Sequence, residues 1–258
     1  MITFRLPTVL RLFCALLLAT CDSSATGAEP TPLQIEDLYR HDAVTELTAL
    51  PGGKAAVYVR DWAERGQLFR RQALWLVEGS PDQRRPLEPG EPDARRPLVS
   101  PDGRWLAFLS SRTLPDGRPP ATPLPIWSET SGDIWLFRLD ERGLPAGAPL
   151  PLGGRSKPYG HVFTDSFYGR IAFSPDSQRL VLVADDGRDL RSAEEQTRHI
   201  TVVREDQGEG YEGFGPAAVW VADLKAAATD VAAHRIRRVT PDDAWYGDPQ
   251  WTPDGRQL

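Results

Sequence analysis

The chain has 258 residues, enough for one large domain or two small ones around a sizeable core. Hydrophobic residues make up 40 % and charged residues 26 %, the ordinary balance of a soluble globular protein. The formal net charge of −6 argues against a nucleic-acid surface, which needs clustered Lys and Arg; the pairs Arg70-Arg71, Arg84-Arg85 and Arg95-Arg96 are short and read as solvated faces.

Residues 1–28 read as a signal peptide. Arg5 and Arg11 form the positive flank, Leu12 to Thr20 the apolar run, and small residues follow from Ser23 to Ala28, with cleavage after Ala25 or Ala28. The run is too short for a bilayer span, which takes roughly 20 residues. Leu18-Ala19-Thr20-Cys21 offers a competing reading as a lipoprotein signal, in which Cys21 becomes a lipid-anchored N-terminus, although Thr20 departs from the small residue usual there. Both readings place the protein outside the cytoplasm, periplasmic or secreted. The two cysteines, Cys14 and Cys21, lie in this segment, so residues 29–258 are expected to hold no disulfide, thiol nucleophile or cysteine metal site.

A short helical turn is expected within 33–43, then a hairpin of 44–50 with 55–59, a third strand at 73–77 and an outer one at 85–87. The plan repeats: hairpin 96–100 with 105–109, third strand 133–137, fourth 148–152. Residues 111–132 between them are too rich in Pro and Gly for regular structure. A third unit has 171–173 with 180–184, then 218–222 and 237–240. Its insertion includes an expected extra strand at 199–203 and a Gly-rich loop at 208–215.

One module generates this order. Val99-Ser100-Pro101-Asp102-Gly103-Arg104-Trp105 returns as Phe173-Ser174-Pro175-Asp176-Ser177-Gln178-Arg179 and as Trp251-Thr252-Pro253-Asp254-Gly255-Arg256-Gln257. A worn copy is Leu50-Pro51-Gly52-Gly53-Lys54. Proline presets φ near −65°, Asp tolerates the bridge region and Gly accepts positive φ: a type I turn plus a left-handed residue, which closes a β-hairpin. After the turn, Trp105, Ala107 and Leu109 alternate with Leu106, Phe108 and Ser110, so both faces carry apolar groups, as in a strand between packed sheets. The turn prolines are spaced more widely than the about 40–45 residues of a WD-type blade, so the units carry insertions.

The expected fold is therefore all-β: a partial β-propeller of four-stranded antiparallel blades, about three blades plus the start of a fourth, occupying 29–258. Three blades and a beginning cannot close a ring, and Leu258 falls inside an expected strand. The chain is accordingly read as the N-terminal part of a longer protein. Expressed alone it should be poorly soluble, with blade faces uncovered.

The order of these features resembles the N-terminal propeller of the prolyl-oligopeptidase family of serine peptidases, in particular acylaminoacyl-peptidases and bacterial dipeptidyl peptidases. The residues that carry it are Glu36-Asp37-Leu38-Tyr39 before the first strand and the repeated Ser-Pro-Asp-Gly-Arg hairpins. Further matches are Val202 to Tyr211 ahead of Val219-Trp220-Val221-Ala222-Asp223-Leu224, and Arg238-Val239-Thr240 leading to Asp248-Pro249-Gln250-Trp251. The hairpin alone is shared with TolB-like periplasmic propellers, which gives the alternative reading of a non-catalytic module binding protein partners. The resemblance implies a propeller that gates access of short peptides to a C-terminal α/β-hydrolase domain.

No Gly-x-Ser-x-Gly elbow occurs, so no catalytic Ser, Asp or His is assigned within these residues. Glu194-Glu195 does not match the paired-glutamate motif of some family members and reads as an exposed acidic pair. His41, His161, His199 and His234 lack metal-ligand spacing, and no metal or cofactor is expected. His161 and Ser166 share a loop but lack an orienting group and an oxyanion hole. The 208–215 loop lacks the Gly-Lys-Ser/Thr ending of a phosphate cradle. Trp75, Trp135 and Trp220 read as filling between blades. From the resemblance, Glu209, Tyr211, Trp245 and Tyr246 are the candidate peptide-facing residues.

Overall fold

The computed structural model describes residues 32–67, 70–80, 82–114, 117, 132–153, 157–163, 169–200, 202–203, 215–224, 235–241 and 244–258. Two compact units divide the chain, residues 1–38 and 39–258. The described part of the first holds one helical turn, α1 (Ile35–Leu38), entered by Gln34, whose N–H donates to Asp37 Oδ2 at 2.9 Å. The helical turn expected within 33–43 is thus confined to four residues.

The second unit contains three four-stranded sheets, each an antiparallel meander in chain order. Blade one is β1 (Asp42–Ala49), β2 (Ala55–Trp62), β3 (Arg71–Glu78) and β4 (Arg84–Pro86). Blade two is β5 (Arg95–Val99), β6 (Trp105–Ser110), β7 (Asp133–Leu139) and β8 (Pro145–Pro151). Blade three is β9 (Ile171–Phe173), β10 (Arg179–Ala184), β11 (Ala218–Asp223) and β12 (Arg235–Arg238). Every strand of the repeat read from the sequence is present. The outer ones shift most, β8 beginning at Pro145 and β12 at Arg235, because an edge strand pairs on one side and little fixes its ends.

Packing follows the alternation along β6. Leu106 and Phe108 join Val57, Val59, Leu74 and Leu76 of blade one in one cluster. Trp105, Ala107 and Leu109 join Leu180, Leu182, Ala218 and Trp220 of blade three in another. A one-residue slip would exchange the two sets, so the register of the middle blade is held from both sides. Val181, Val219 and Val221 point the other way, and Tyr246 and Trp251, from the segment that begins the fourth repeat, pack against them. Trp135 and Trp220 fill these interfaces as expected; Trp75 lies on the far face of blade one, with the Arg60 guanidinium 4.9 Å from its ring centre.

The repeated turns are built alike. Ser100 N–H donates to Trp105 O and Gly103 N–H to Ser100 O, and the corresponding pairs join Ser174 with Arg179 and Ser177, and Thr252 with Gln257 and Gly255, all at 2.8–2.9 Å. In each, the hydroxyl donates to the turn aspartate (Ser100 to Asp102, Ser174 to Asp176, Thr252 to Asp254) and accepts the N–H that opens the return strand. Burial alone would raise the Asp102 carboxyl, but hydrogen bonds from Ser100 and Arg104 hold it below the usual carboxylate range; the bond from Ser174 does the same for Asp176. Leu50 has no hydroxyl, and its turn keeps only the two backbone bonds.

Successive turns also touch. A Cβ on Gly103, at φ 71°, would lie 2.5 Å from Pro51 Cγ, and one on Gly255, at φ 67°, 3.2 Å from Pro175 Cδ. Ser177 takes the left-handed place of glycine in its turn, and its Oγ accepts Asp102 N–H at 2.9 Å. Each turn thus rests on the one before it.

One expected strand is corrected. Residues 199, 200, 202 and 203 form none; instead α2 (Ala193–Arg198) ends at His199 in the left-handed conformation, φ 54°. Ser192 and Glu195 make a capping box, and the Glu195 carboxylate also takes Val202 N–H at 2.7 Å. The apolar side chains of Val202 and Val203 stay exposed, and among the described residues no strand pairs with them. Glu194 is an exposed acid as expected, 3.1 Å from Arg198 one turn on; Glu195 serves the cap.

Candidate functional site

The first strand of each blade is an edge strand of its sheet, and residues of all three line one cavity of about 300 Å³. Glu46 and Leu47 of β1, Arg96 to Leu98 of β5, and Arg170 and Ile171 at β9 line it, with Leu109 and Phe163 behind. Its polar groups come from one place in the repeat. The steps Glu46 to Pro51, Arg96 to Pro101, Arg170 to Pro175 and Asp248 to Pro253 are the same five residues. The pairing breaks register at Val44/Glu46 in β1 and at Arg95/Leu98 in β5, and such bulges re-aim side chains. Arg96, at φ 54°, and Asp248, at φ 44°, take the left-handed backbone that non-glycine residues rarely adopt.

Ion pairs link neighbouring positions. Arg96 Nε lies 3.5 Å from Glu46 Oε1 and Arg96 N–H donates to the same carboxylate, while Arg170 Nη1 lies 2.6 Å from Asp248 Oδ1. The hydrogen bonds from Arg170 and then Gln250 hold the Asp248 carboxyl below its usual value.

The proposed contact residues separate here. Trp245 is 48 % exposed and meets the Phe163 ring edge-on at 5.9 Å, so one continuous aromatic path joins it to the cavity wall. Tyr246 turns inward against Val181, Val219 and Val221, and its N–H donates to Ala217 O at 2.9 Å. Glu209, Tyr211, Ser166 and His234 lie outside the described residues.

A buried polar node holds the crossover 157–163 in place, and with it Phe163. Lys157 pairs with Asp133 at the start of β7 and donates to Gly160 O at 3.2 Å; Asp185, after β10, accepts His161 N–H at 3.0 Å and Gly187 N–H at 2.7 Å. Phe163 N–H donates to Val183 O and its ring meets His161 at 5.4 Å. His161 is thus buried, with its ring against Phe163. Tyr159 is buried, donates to Leu152 O at 3.3 Å, and is pushed well above the usual phenol value by that burial and by Asp133.

Burial raises the Asp185 carboxyl against the lowering effect of the Gly187 and His161 N–H groups. A carboxyl whose value is raised on folding contributes stability that is complete below its unfolded value and is lost as pH rises through the folded one. Asp185→Asn keeps an oxygen for both N–H donors and cannot ionise. The variant is therefore expected to be at least as stable as the parent at pH 7, with its relative advantage shrinking as pH falls toward about 4, in urea denaturation across pH. A variant less stable at pH 7 than at pH 4, relative to the parent, would contradict this.

Among the described residues no three His, Cys, Asp or Glu side chains converge as metal ligands, and no helix is long and apolar enough to cross a membrane.

The sheets define the chain as a partial β-propeller of four-stranded blades. No protein-family model matches it. The sequence is 26 % identical over 227 residues, 86 % of this chain, to an uncharacterized peptidase, YuxL, of Bacillus subtilis (strain 168), and spans 30 % of that protein's length. Similar solved structures include an acylaminoacyl peptidase of Pyrococcus horikoshii (14 % identity, 78 % of this chain and 26 % of that one, TM-score 0.43) and TolB from Acinetobacter baumannii (16 %, 81 % and 35 %, TM-score 0.37). The peptidase relative agrees with the family that the sequence resembles.

Proposed function

We propose that this chain is the substrate-gating part of a β-propeller in an exported serine peptidase acting on short peptides, with the hydrolase domain and the closing blades elsewhere in the same protein. The observation that carries the reading is the alignment along 86 % of the chain to a peptidase of which these residues span 30 %. The axial cavity, with Phe163 in its wall and Trp245 edge-on to Phe163, supports a passage that admits an extended chain and turns away a folded one. Residues 1–28, including Cys21, support export by cleavage or by lipid anchoring. Trp245 and the Glu209–Tyr211 loop are proposed to meet the entering peptide.

The test is made on the full-length protein. It is expected to label with a fluorophosphonate and to cleave short chromogenic peptides while leaving a folded protein that contains the same bond intact. Equal rates on both substrates, or peptide rates unchanged after deletion of 208–215 together with Trp245→Ala, would overturn the gating role.

A further inference from the structure

We propose that the axial cavity, lined by the first strands of all three blades, is a carboxylate-binding site that takes the C-terminal carboxylate of a ligand bearing an apolar last residue. The argument begins with the order of charges at the repeated inner-strand position: Glu46, Arg96, Arg170, Asp248. The outer two neighbours of this series are complementary and pair, Glu46 with Arg96 and Arg170 with Asp248. The middle two are both arginine and line the same cavity. Two arginines that line one space can both donate to an anion placed between them.

The pair that Arg170 makes leaves capacity. Its side chain is 45 % exposed and that of Asp248 57 %, and an ion pair so exposed is weak. A guanidinium carries five N–H donors in a planar fork suited to carboxylate, and the Asp248 contact is made through Nη1 alone. Each arginine already has a carboxylate partner, so the draw on an anion comes from the unused Arg170 N–H donors and not from net charge.

The remaining wall sets the other half of the ligand. Leu47, Leu98, Leu109, Ile171 and Phe163 supply apolar surface beside the arginines. At about 300 Å³ the space is at the small end of ligand pockets, sized for about one residue. Carboxylate plus one apolar side chain is the chemistry of a peptide C-terminus, and also of a small branched-chain acid. The assignment to peptide rests on the peptidase reading; the carboxylate site does not.

The experiment is isothermal titration of the full-length protein with 4-methylpentanoate and its amide, and with Ala-Ala-Leu and its C-terminal amide, with the hydrolase serine blocked by a fluorophosphonate where it reacts. Each free acid is expected to bind at least tenfold more tightly than its amide. Arg170→Gln is expected to lose that preference and Arg170→Lys to keep part of it. Asp248→Asn, which releases Arg170 from its pair, is expected to tighten binding of the acid. Acids and amides binding alike, neither binding, or a preference unmoved by Arg170→Gln would overturn the site. Binding of 4-methylpentanoate without Ala-Ala-Leu would overturn the peptide assignment alone. A protein that does not react with fluorophosphonate yet binds the acids would sink the peptidase reading and leave the site standing.

Discussion

Phe108→Ala is expected to cost about 3–5 kcal/mol of propeller stability, the range for deleting a buried aromatic ring. Phe108 is 1 % exposed in the second strand of the middle blade, on the face turned to blade one. Its ring stacks on Phe137 with centroids 5.4 Å apart, and the Arg112 guanidinium sits 5.2 Å above it. Val57, Val59, Leu74 and Leu76 close the pocket from the facing sheet. Those residues belong to paired strands that cannot slide inward without breaking their own ladders, so the hole stays open and the cost falls in the upper range. Arg112 loses the face of one ring but keeps its two contacts to Glu88, at 2.7 and 2.8 Å, so lost packing dominates. Urea denaturation of the full-length protein checks the value; a loss below about 1 kcal/mol would mean that blades one and two do not pack through this face.

Gly160→Ala is expected to be as damaging, for a different reason. A Cβ there would lie 2.5 Å from Gly187 Cα and 2.6 Å from Gly187 N, and would overlap the Asp185 carboxylate. The obstacles are backbone and a buried acid, neither of which can swing aside as a long side chain does. Either the crossover moves away or Asp185 gives up the N–H groups of His161 and Gly187. Each buried donor so orphaned costs about 1–3 kcal/mol, so a loss of about 3 kcal/mol or more is expected. The damage should spread to Phe163, and so weaken carboxylate binding in the cavity. Hydrogen exchange at His161 and Gly187 reads the effect directly; unchanged protection and an unchanged melting temperature would contradict it.

Much of this architecture is legible in residues close in sequence. Pro101-Asp102-Gly103 encodes its turn through backbone preference alone, and the alternation from Trp105 to Ser110 states that both faces are covered. Trp220 could be assigned to packing because the residues from Ala218 to Ala222 are all apolar. The helix after Ser192 was also written in the chain, since a serine followed three residues later by glutamate is a capping box; the β-branched run at 200–203 reads as strand only if a neighbour exists.

The candidate site was harder to read. The charges at Glu46, Arg96, Arg170 and Asp248 recur in step with the turn prolines, yet they change sign and sit outside the apolar pattern, so periodicity of hydrophobic residues passes over them. Their pairing needs the blades side by side. Tyr246 looked like a surface aromatic beside Trp245, because the valines that receive it come from β10 and β11, far back in the sequence. The polar node around Asp185 likewise joins residues from three segments that no local motif connects.

The gene beyond codon 258 is the most direct test of what this propeller serves. The reading proposed here predicts further blades of the same turn-and-strand module, then a Gly-x-Ser-x-Gly elbow followed in order by an Asp and a His. A stop codon soon after the ring is completed, with no such elbow, would contradict it and leave a stand-alone binding propeller.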